Sequence, residues 1–448
     1  MATDLTRGQQ ALIRDLAHDQ AEYNLLERYY EGDAPLPEGA EGASNAYRRF
    51  QKKSRLNIAQ LAVAATRERM IIEGFRTGAA GDENGDILAR RLWKANNLDV
   101  GAADAHSMML TFGEAYAIVG PPNAFGIPVV TIEDPRQIET NHDPKDPRVV
   151  TEAVKIWRDK ELDLDVAYFY YPTRIEVYVK PCDSSLYSGE NWIWREDLSS
   201  DNPLGEVPVI KFENIDGEGE FEPYLDIIDR INHMILQRVI IATTQAFKQR
   251  WIKGDLPTHD ADGNEVDYNG LFTSSPGSMW IIPEGADIGE SSQTDIQGIL
   301  AAVRADIQDF AAMTRTPMHY LSPEGANGSA EGASLAREGL VFKAEDRMNR
   351  VTSSWSKVMS LMFKWIGDTE RANLLDLEPI WKPAERYSLA ERADANSKLQ
   401  DVPFRMRMAT VMQYTPEEIA EMEIERAGET LTQALLTGGT GANAQGTV

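Results

Sequence analysis

One long stripe of apolar side chains, in the last third of the chain, constrains the fold more than any other feature. Its members recur at alternating steps of three and four residues: Val341, Ala344, Met348, Val351, Trp355, Val358, Met362 and Trp365. This spacing predicts one long helix with all of these side chains on a single face. The average step of about 3.5 residues also fits a coiled-coil seam. Two interpretations therefore stay open: the helix packs against copies of itself or other long helices, or it crosses its own domain.

The segments before the long helix follow an unusual order. Residues 221–251 are predicted as a helix that is apolar on most sides, with one row formed by Tyr224, Ile228, Ile231, Ile235 and Ala242. Such a helix must be buried by its own chain or by neighbouring subunits. Residues 252–295 are predicted as an insertion of loops and short strands, and 296–313 as a second helix. A loop rich in glycine and serine then leads to the long helix, for which Ser334 is a candidate N-cap.

The rest of the chain divides into helical and β-rich parts. The N-terminal part is predicted to be helical at 4–31, 55–73, 84–97 and 101–114, with a loop at 33–50. Short β-branched and aromatic runs predict a mixed sheet module over 115–213. The C-terminal part is predicted to hold a strand at 377–381, helices at 388–400, 403–412 and 415–428, and a flexible tail at 429–448. The fold class is therefore α+β, mainly helical.

Composition and charge exclude several classes of function. The 448 residues include 45 basic and 71 acidic residues, for a net charge of −26. A protein that grips duplex DNA through its phosphates carries a basic surface, so tight sequence-independent DNA binding is not expected. The single cysteine, Cys182, excludes an internal disulfide and favours a reducing cytosol. The N-terminus lacks the apolar core of a signal peptide, and no apolar run is long enough for a membrane span.

No motif in the sequence indicates an enzyme or a cofactor. Ser354 and Lys357 have the SxxK spacing of acyl-serine enzymes, but the SDN and KTG motifs that accompany it are missing. The run from Asp260 to Asn264 resembles a calcium loop, but its glycine is misplaced and Leu271 stands where a glutamate ligand belongs. A hairpin turn is the better interpretation. The six histidines are scattered without ligand spacing, so no metal site is predicted.

The glycine-rich loop 322–334 has some features of a phosphate cradle, because it leads into a helix. However, a helix and not a strand comes before it, and the loop contains no lysine or arginine. A flexible, exposed loop is the better interpretation. Arg315, Arg337 and Lys343 lie near it in the sequence, where they could touch a passing polyanion.

The order of helix, small β insertion, helix, flexible loop and very long helix resembles the portal proteins of tailed double-stranded-DNA bacteriophages. Short stretches at 26–32 (LERYYEG), 57–75, 105–116 and 331–336 (EGASLA) are similar to motifs of that family. The resemblance covers residues 5–428 and depends on the order and spacing of these motifs. Two other functions stay open: another structural or adaptor protein of the virion and, with less support, a serine acyl-enzyme.

The resemblance implies a ring of about twelve copies at one capsid vertex, around a channel for DNA. It implies no enzymatic activity and no cofactor. The implied partners are the terminase packaging motor, the head–tail adaptor, capsid and scaffold proteins, and double-stranded DNA, but no membrane. The implied location is the virion, after assembly in the host cytoplasm. The implied regions are the wing (1–220), two stem helices (221–251 and 296–313), the clip (252–295), the tunnel loop (314–334), the long wing helix and strand (335–384), the crown (385–428) and a tail (429–448).

Two sets of site residues follow from this resemblance. The stem side chains expected to pack between subunits are Ile228, Ile231, Ile235 and Ala242. The residues expected to face DNA in the channel are Arg315, Ser322, Glu324, Asn327, Ser329, Arg337 and Lys343.

Overall fold

The computed structural model describes residues 5–37, 45–79, 85–182, 185–246, 250–254, 258–259, 263, 265–266, 287–290, 296–321, 330–385 and 387–438. The helices in this part are α1 (Arg7–Tyr30), α2 (Asn45–Ser54), α3 (Ala59–Arg67), α4 (Ile87–Ala95), α5 (Leu98–Phe112), α6 (Leu225–Ala246), α7 (Gln297–Met313), α8 (Met318–Leu321), α9 (Ala330–Trp365), α10 (Leu389–Lys398), α11 (Phe404–Thr410) and α12 (Pro416–Gly438). None of them combines the length and the apolarity needed to cross a bilayer.

The described strands are β1 (Ile72–Arg76), β2 (Glu114–Pro122), β3 (Pro128–Glu133), β4 (Ile138–Asp143), β5 (Asp146–Asp159), β6 (Leu164–Tyr170), β7 (Arg174–Pro181), β8 (Ile193–Trp194), β9 (Ser200–Asp201), β10 (Val209–Glu213), β11 (Arg250–Lys253), β12 (Asp287–Glu290) and β13 (Glu378–Trp381). They form a six-stranded antiparallel sheet, in which β4 to β8 follow chain order and β9 pairs with β7. A three-stranded sheet has the order β10-β2-β3, and β1 pairs with β13 and β11 with β12. Together with the helices, these sheets confirm the α+β class.

Helix α1 covers one face of the six-stranded sheet. A capping box between Thr6 and Gln9 fixes its start, because each side chain binds the other residue's backbone N–H. Leu12, Ile13 and Leu16 are buried against strand residues, including Val154, Ile156 and Phe169 of the same cluster. Because successive side chains of β5 and β6 point to opposite faces of the sheet, their apolar residues form one apolar face, and α1 packs against it.

The long helix α9 lies inside the main core of its own chain, which decides between the two interpretations of its apolar stripe. Val351, Trp355 and Val358 are fully buried in the same cluster as residues of α3, α5 and β10. The Trp355 ring centroid lies 4.6 Å from that of Phe212, and its Nε1 donates to His106 Nε2 at 2.9 Å. The stripe is therefore covered without help from another subunit.

The structure corrects several predicted boundaries in the first half of the chain. The helix predicted over 55–73 ends at Arg67, and the chain turns into β1, which pairs with β13 some 300 residues later. The loop predicted over 33–50 instead leads into α2 from Asn45. Pairing with a distant strand overrides local helix propensity here.

The predictions for the second half also need correction at several ends. Helix α6 ends at Ala246, and Trp251 belongs to β11 and not to the helix. Helix α9 begins at Ala330, so Ser334 lies within it and is not its cap. Helix α12 continues to Gly438, so the flexible tail predicted from 429 is wrong for residues 429–438.

Candidate functional site

The segment before α6 packs closely against the end of α5 through backbone hydrogen bonds. These contacts fix the position at which α6 begins. Asn214 N donates to Gly113 O, and Glu220 N donates to Leu110 O, both at 2.8 Å. A Cβ atom on Gly113 would lie 1.9 Å from the Gly217 carbonyl oxygen, and Gly113 has a φ of +86°. Only glycine fits such a contact and such a backbone.

Glu220, at the end of this segment, joins three parts of the chain. Its carboxylate is buried and accepts a hydrogen bond from Arg347 Nε at 2.5 Å, and Lys343 Nζ lies 3.3 Å from its other oxygen. Lys343 Nζ also donates to the Thr314 carbonyl oxygen at 2.7 Å, just after α7. One buried ionic cluster, Glu220–Lys343–Arg347, therefore ties the start of α6, the end of α7 and α9 together.

Burial and charge act on these groups in opposite directions. Burial alone would raise the pKa of Glu220, but the neighbouring charges of Lys343 and Arg347 hold that pKa below its ordinary value. Burial lowers the pKa of Lys343, and Glu220 opposes this effect. Mutual compensation of this kind is what allows ionised groups to stay inside a protein.

This cluster corrects the prediction that Lys343 faces DNA. Its side chain is only 4% exposed, and its amino group is already held by Glu220 and Thr314. Arg315, in contrast, is exposed and has a φ of +50°. Both residues line a cavity of about 540 Å³, whose charged walls also include Asp216, Glu218, Glu220, Asp346 and Arg347. Acidic groups slightly outnumber basic ones there, so the cavity has no excess of positive charge for a phosphate.

Of the remaining predicted channel residues, Arg337 is the one that the structure describes, and it does not line this cavity. Arg337 is exposed on the first part of α9. Ser322, Glu324, Asn327 and Ser329 lie outside the described residues. The structure thus brings Arg315 and Lys343 to one cavity, and contact with DNA stays a prediction for Arg315 and Arg337 but not for the buried Lys343.

The four stem residues predicted to pack between subunits behave differently from one another. Three of them, Ile228, Ile231 and Ile235, are buried in the main core of the same chain. This corrects the prediction that they pack between subunits. Ala242, two turns further along α6, is exposed. In the first third of α6, Arg230 forms an ion pair with α7, and its Nη2 lies 2.9 Å from Asp306 Oδ1.

The candidate acyl-enzyme pair has no catalytic geometry. Ser354 Oγ donates to the Lys211 carbonyl oxygen at 2.8 Å, whereas Lys357 forms an ion pair with Glu206. Since a nucleophile needs its base within hydrogen-bond reach, this arrangement does not activate the serine.

The described residues also give no support for a metal site. They contain no group of three or more His, Cys, Asp or Glu placed to hold a metal ion. The candidate calcium ligands Asp260 and Asn264 lie outside the described part of the chain. Burial lowers the pKa of His106 to about 3, so its ring is neutral and serves as an acceptor for Trp355.

Sequence reasoning missed two features. The Glu220 cluster joins residues more than a hundred positions apart, and no local pattern marks it. The second feature is an exposed apolar stripe on α12 formed by Ile424, Leu431 and Leu435. Their spacing of seven and four residues indicates one face of a helix. Gly428 and two threonines, which have low helix propensity, nevertheless favoured an end of the helix at residue 428.

Comparison with known proteins identifies relatives of this chain. Residues 9–430 match the family model described as phage portal protein, SPP1 Gp6-like. The portal protein of Mycobacterium phage L5 is 25% identical over 428 residues, which cover 91% of this chain and 85% of that relative. The portal protein of Mycobacterium phage D29 is 25% identical over 385 residues, covering 81% and 77%.

Among solved structures, a chain from the neck of a native GTA particle computed with C12 symmetry aligns over 87% of this chain and 93% of its own length. Its sequence identity is 11% and its TM-score is 0.47. The family match is the stronger finding, because it extends over nearly the whole chain. The chain therefore belongs to the SPP1 Gp6-like family of phage portal proteins.

Proposed function

We propose that this chain is the subunit of a ring at one vertex of a phage capsid, through which double-stranded DNA is packaged and later ejected. The observation that carries this proposal is the family match over residues 9–430. The two relatives from mycobacteriophages are both named portal proteins, and each covers most of this chain. The ring is a component of the virion and has a structural role, with no reaction and no cofactor of its own.

The local geometry supports a division of labour within such a subunit. The larger sheets, α1–α5 and α9 form the body, and the first half of α6 packs into the core of that body after the segment that Gly113 contacts. Helices α6 and α7 pack against each other and bracket the insertion 252–295. In the proposed ring the body is the wing, α6 and α7 are the stem, the insertion is the clip, and α10–α12 form the crown.

The charge of the chain fits a channel through which DNA passes better than a site that binds DNA tightly. A net charge of −26 per subunit repels phosphate, so DNA can slide without sticking. Arg315 and Arg337 are exposed, precede and follow residues 322–329 in the sequence, and would supply weak contacts that salt screens. Ser322, Glu324, Asn327 and Ser329 complete the proposed set of channel residues.

The proposed partners follow from the same function. About twelve copies of the chain form the ring, since closed rotational symmetry satisfies every subunit interface. The clip is the docking region for the terminase motor during packaging and for the head–tail adaptor afterwards. Capsid and scaffold proteins surround the wing, and assembly takes place in the host cytoplasm.

The native mass of the purified protein tests this proposal. We expect one dominant mass at an integral multiple of the 50.0 kDa subunit, with electron micrographs down the axis showing a ring. The central hole should be wide enough for a DNA duplex. A stable single subunit at every concentration and salt tested, or sheets and shells in the micrographs, would contradict it.

A further inference from the structure

The C-terminal helix α12 presents an apolar stripe to solvent. Ile424, Leu431 and Leu435 are 74%, 63% and 70% exposed. Steps of seven and four residues place the three side chains on one face of the helix. The part of α12 beyond Glu423 is about 15 residues long, a length that is marginal for a helix in water on its own, and it contains Gly428. The stripe therefore needs a partner that covers it.

The same helix is strongly acidic. Pro416–Gly438 contains six glutamates and one arginine. At 100° per residue, Glu421 lies about 60° from Ile424, whereas Glu425 and Glu429 turn progressively towards the opposite face of the helix. Two copies of α12 side by side would bring two helices of like net charge together, which is unfavourable. The charge thus argues against pairing between identical α12 helices.

A second exposed apolar patch lies on the preceding helices and carries the opposite charge. Leu399 and Met406 are 42% and 59% exposed. Met406 stands between Arg405 and Arg407 in α11, which has no acidic residue. Arg407 Nη1 donates to the Leu399 carbonyl oxygen at 3.4 Å, which places Leu399 beside α11. We call Leu399, Arg405, Met406 and Arg407 the α11 patch.

Within one subunit these two surfaces do not cover each other. Helix α12 meets α11 through its first turns, where Ile419 and Met408 are buried and Arg405 Nε lies 2.8 Å from Glu423 Oε1. Beyond this contact the apolar stripe continues along α12 in the exposed state. Residues 439–448 contain only one large apolar side chain, Val448, and so supply no cover of comparable size.

We propose that the α12 stripe of one subunit packs on the α11 patch of the next subunit around the ring. This inference rests on the ring proposed above and names one contact that closes it. Apolar surface meets apolar surface, and the net acidic helix α12 approaches α11, which carries two arginines and no acidic residue. Because the two surfaces differ, the contact is heterologous, and repetition of a heterologous contact generates a ring.

Cysteine cross-linking tests the contact directly. In a Cys182→Ser background, the double variant Met406→Cys/Leu431→Cys is assembled and treated with a flexible bis-maleimide. We expect a ladder of covalent multimers on a denaturing gel, because each subunit is joined to the next. Each single-cysteine variant should remain monomeric on the gel. Dimers from Leu431→Cys alone would show α12–α12 pairing and overturn the proposal.

A charge variant provides an independent measurement. Leu431→Glu/Leu435→Glu should raise the subunit concentration needed for half-assembly about ten-fold or more, roughly the effect of 1.4 kcal/mol per contact. Gln433→Glu adds a charge to the opposite face of α12 and should leave this concentration unchanged. Equal behaviour of the two variants would contradict the proposed contact.

The native mass of the wild type separates this inference from the function on which it rests. If the wild type forms no ring, the portal proposal itself fails. If the wild type forms rings but the double-cysteine variant gives no ladder, only the α12–α11 contact is wrong.

Discussion

Single residues decide how the parts of this subunit are held together, and Glu220 is the clearest case. Its carboxylate lies in the core, and Arg347 and Lys343 both contact it. Lys343 also donates a hydrogen bond to the Thr314 carbonyl oxygen, which joins the end of α7 to the cluster. A buried carboxylate with two cationic partners is tolerated only while the whole set is complete. The position of Thr314, at the end of α7, relative to α6 and α9 therefore depends on Glu220.

Removal of this charge should destabilise the fold of the subunit. Glu220→Gln leaves Lys343 and Arg347 buried without their counter-charge, which typically costs about 3–5 kcal/mol. We expect a lower midpoint in urea unfolding and faster amide hydrogen exchange around Thr314. Glu218→Gln makes the same chemical change at an exposed position two residues away and should be nearly neutral. Equal stability of the two variants would show that the cluster contributes little.

At the scale of elements, the two most apolar helices have different reasons for being apolar. Helix α9 is buried by its own chain along its stripe, as Val351 and Trp355 show. Helix α6 is buried in its first half, through Ile228 and Ile235, whereas Ala242 further along is exposed. In the second half of α6, Ala242 therefore leaves apolar surface for a neighbouring subunit.

Two glutamate substitutions separate the halves of α6. Ile235→Glu places a charge in the core and should lower the thermal unfolding temperature of the subunit, because an unpaired buried charge is costly. Ala242→Glu should leave circular dichroism and unfolding temperature unchanged but reduce the fraction of protein at ring mass. Normal rings from Ala242→Glu would remove this part of α6 from the proposed interface. A fully folded Ile235→Glu subunit would contradict the core placement.

At the scale of the whole molecule, the distribution of charge fits a channel that DNA passes without being held. The subunit is strongly acidic, and the two arginines proposed to face DNA, Arg315 and Arg337, are exposed. The third candidate, Lys343, is withdrawn into the Glu220 cluster. The channel therefore has fewer basic contacts than the sequence suggested, and each should be weak.

Reversal of the two exposed arginines should affect DNA passage and not assembly. Arg315→Glu/Arg337→Glu is expected to lower the yield of packaged DNA several-fold, with the largest loss at low salt, where charge repulsion is least screened. The native mass should stay that of the wild-type ring. Arg14→Glu reverses an exposed charge on α1 and serves as the matched control. Equal packaging by both variants would remove Arg315 and Arg337 from the proposed channel.

The sequence by itself determined the class of fold, the family and much of the order of helices and strands. The reason is that these depend on local periodicity: apolar steps of three and four gave α7 and α9, and β-branched runs gave the sheets over residues 114–213. The same periodicity identified Val351 and Trp355 as one buried face before their partners were known.

Only the tertiary structure decided which apolar and charged residues are already satisfied within one subunit. Ile235 and Lys343 look available in the sequence, yet both are buried by residues distant in the chain. Leu431 looks ordinary in the sequence, yet it is exposed on a helix that extends to Gly438. Burial is a property of long-range packing, and periodicity records only which face of an element is apolar, not what covers that face.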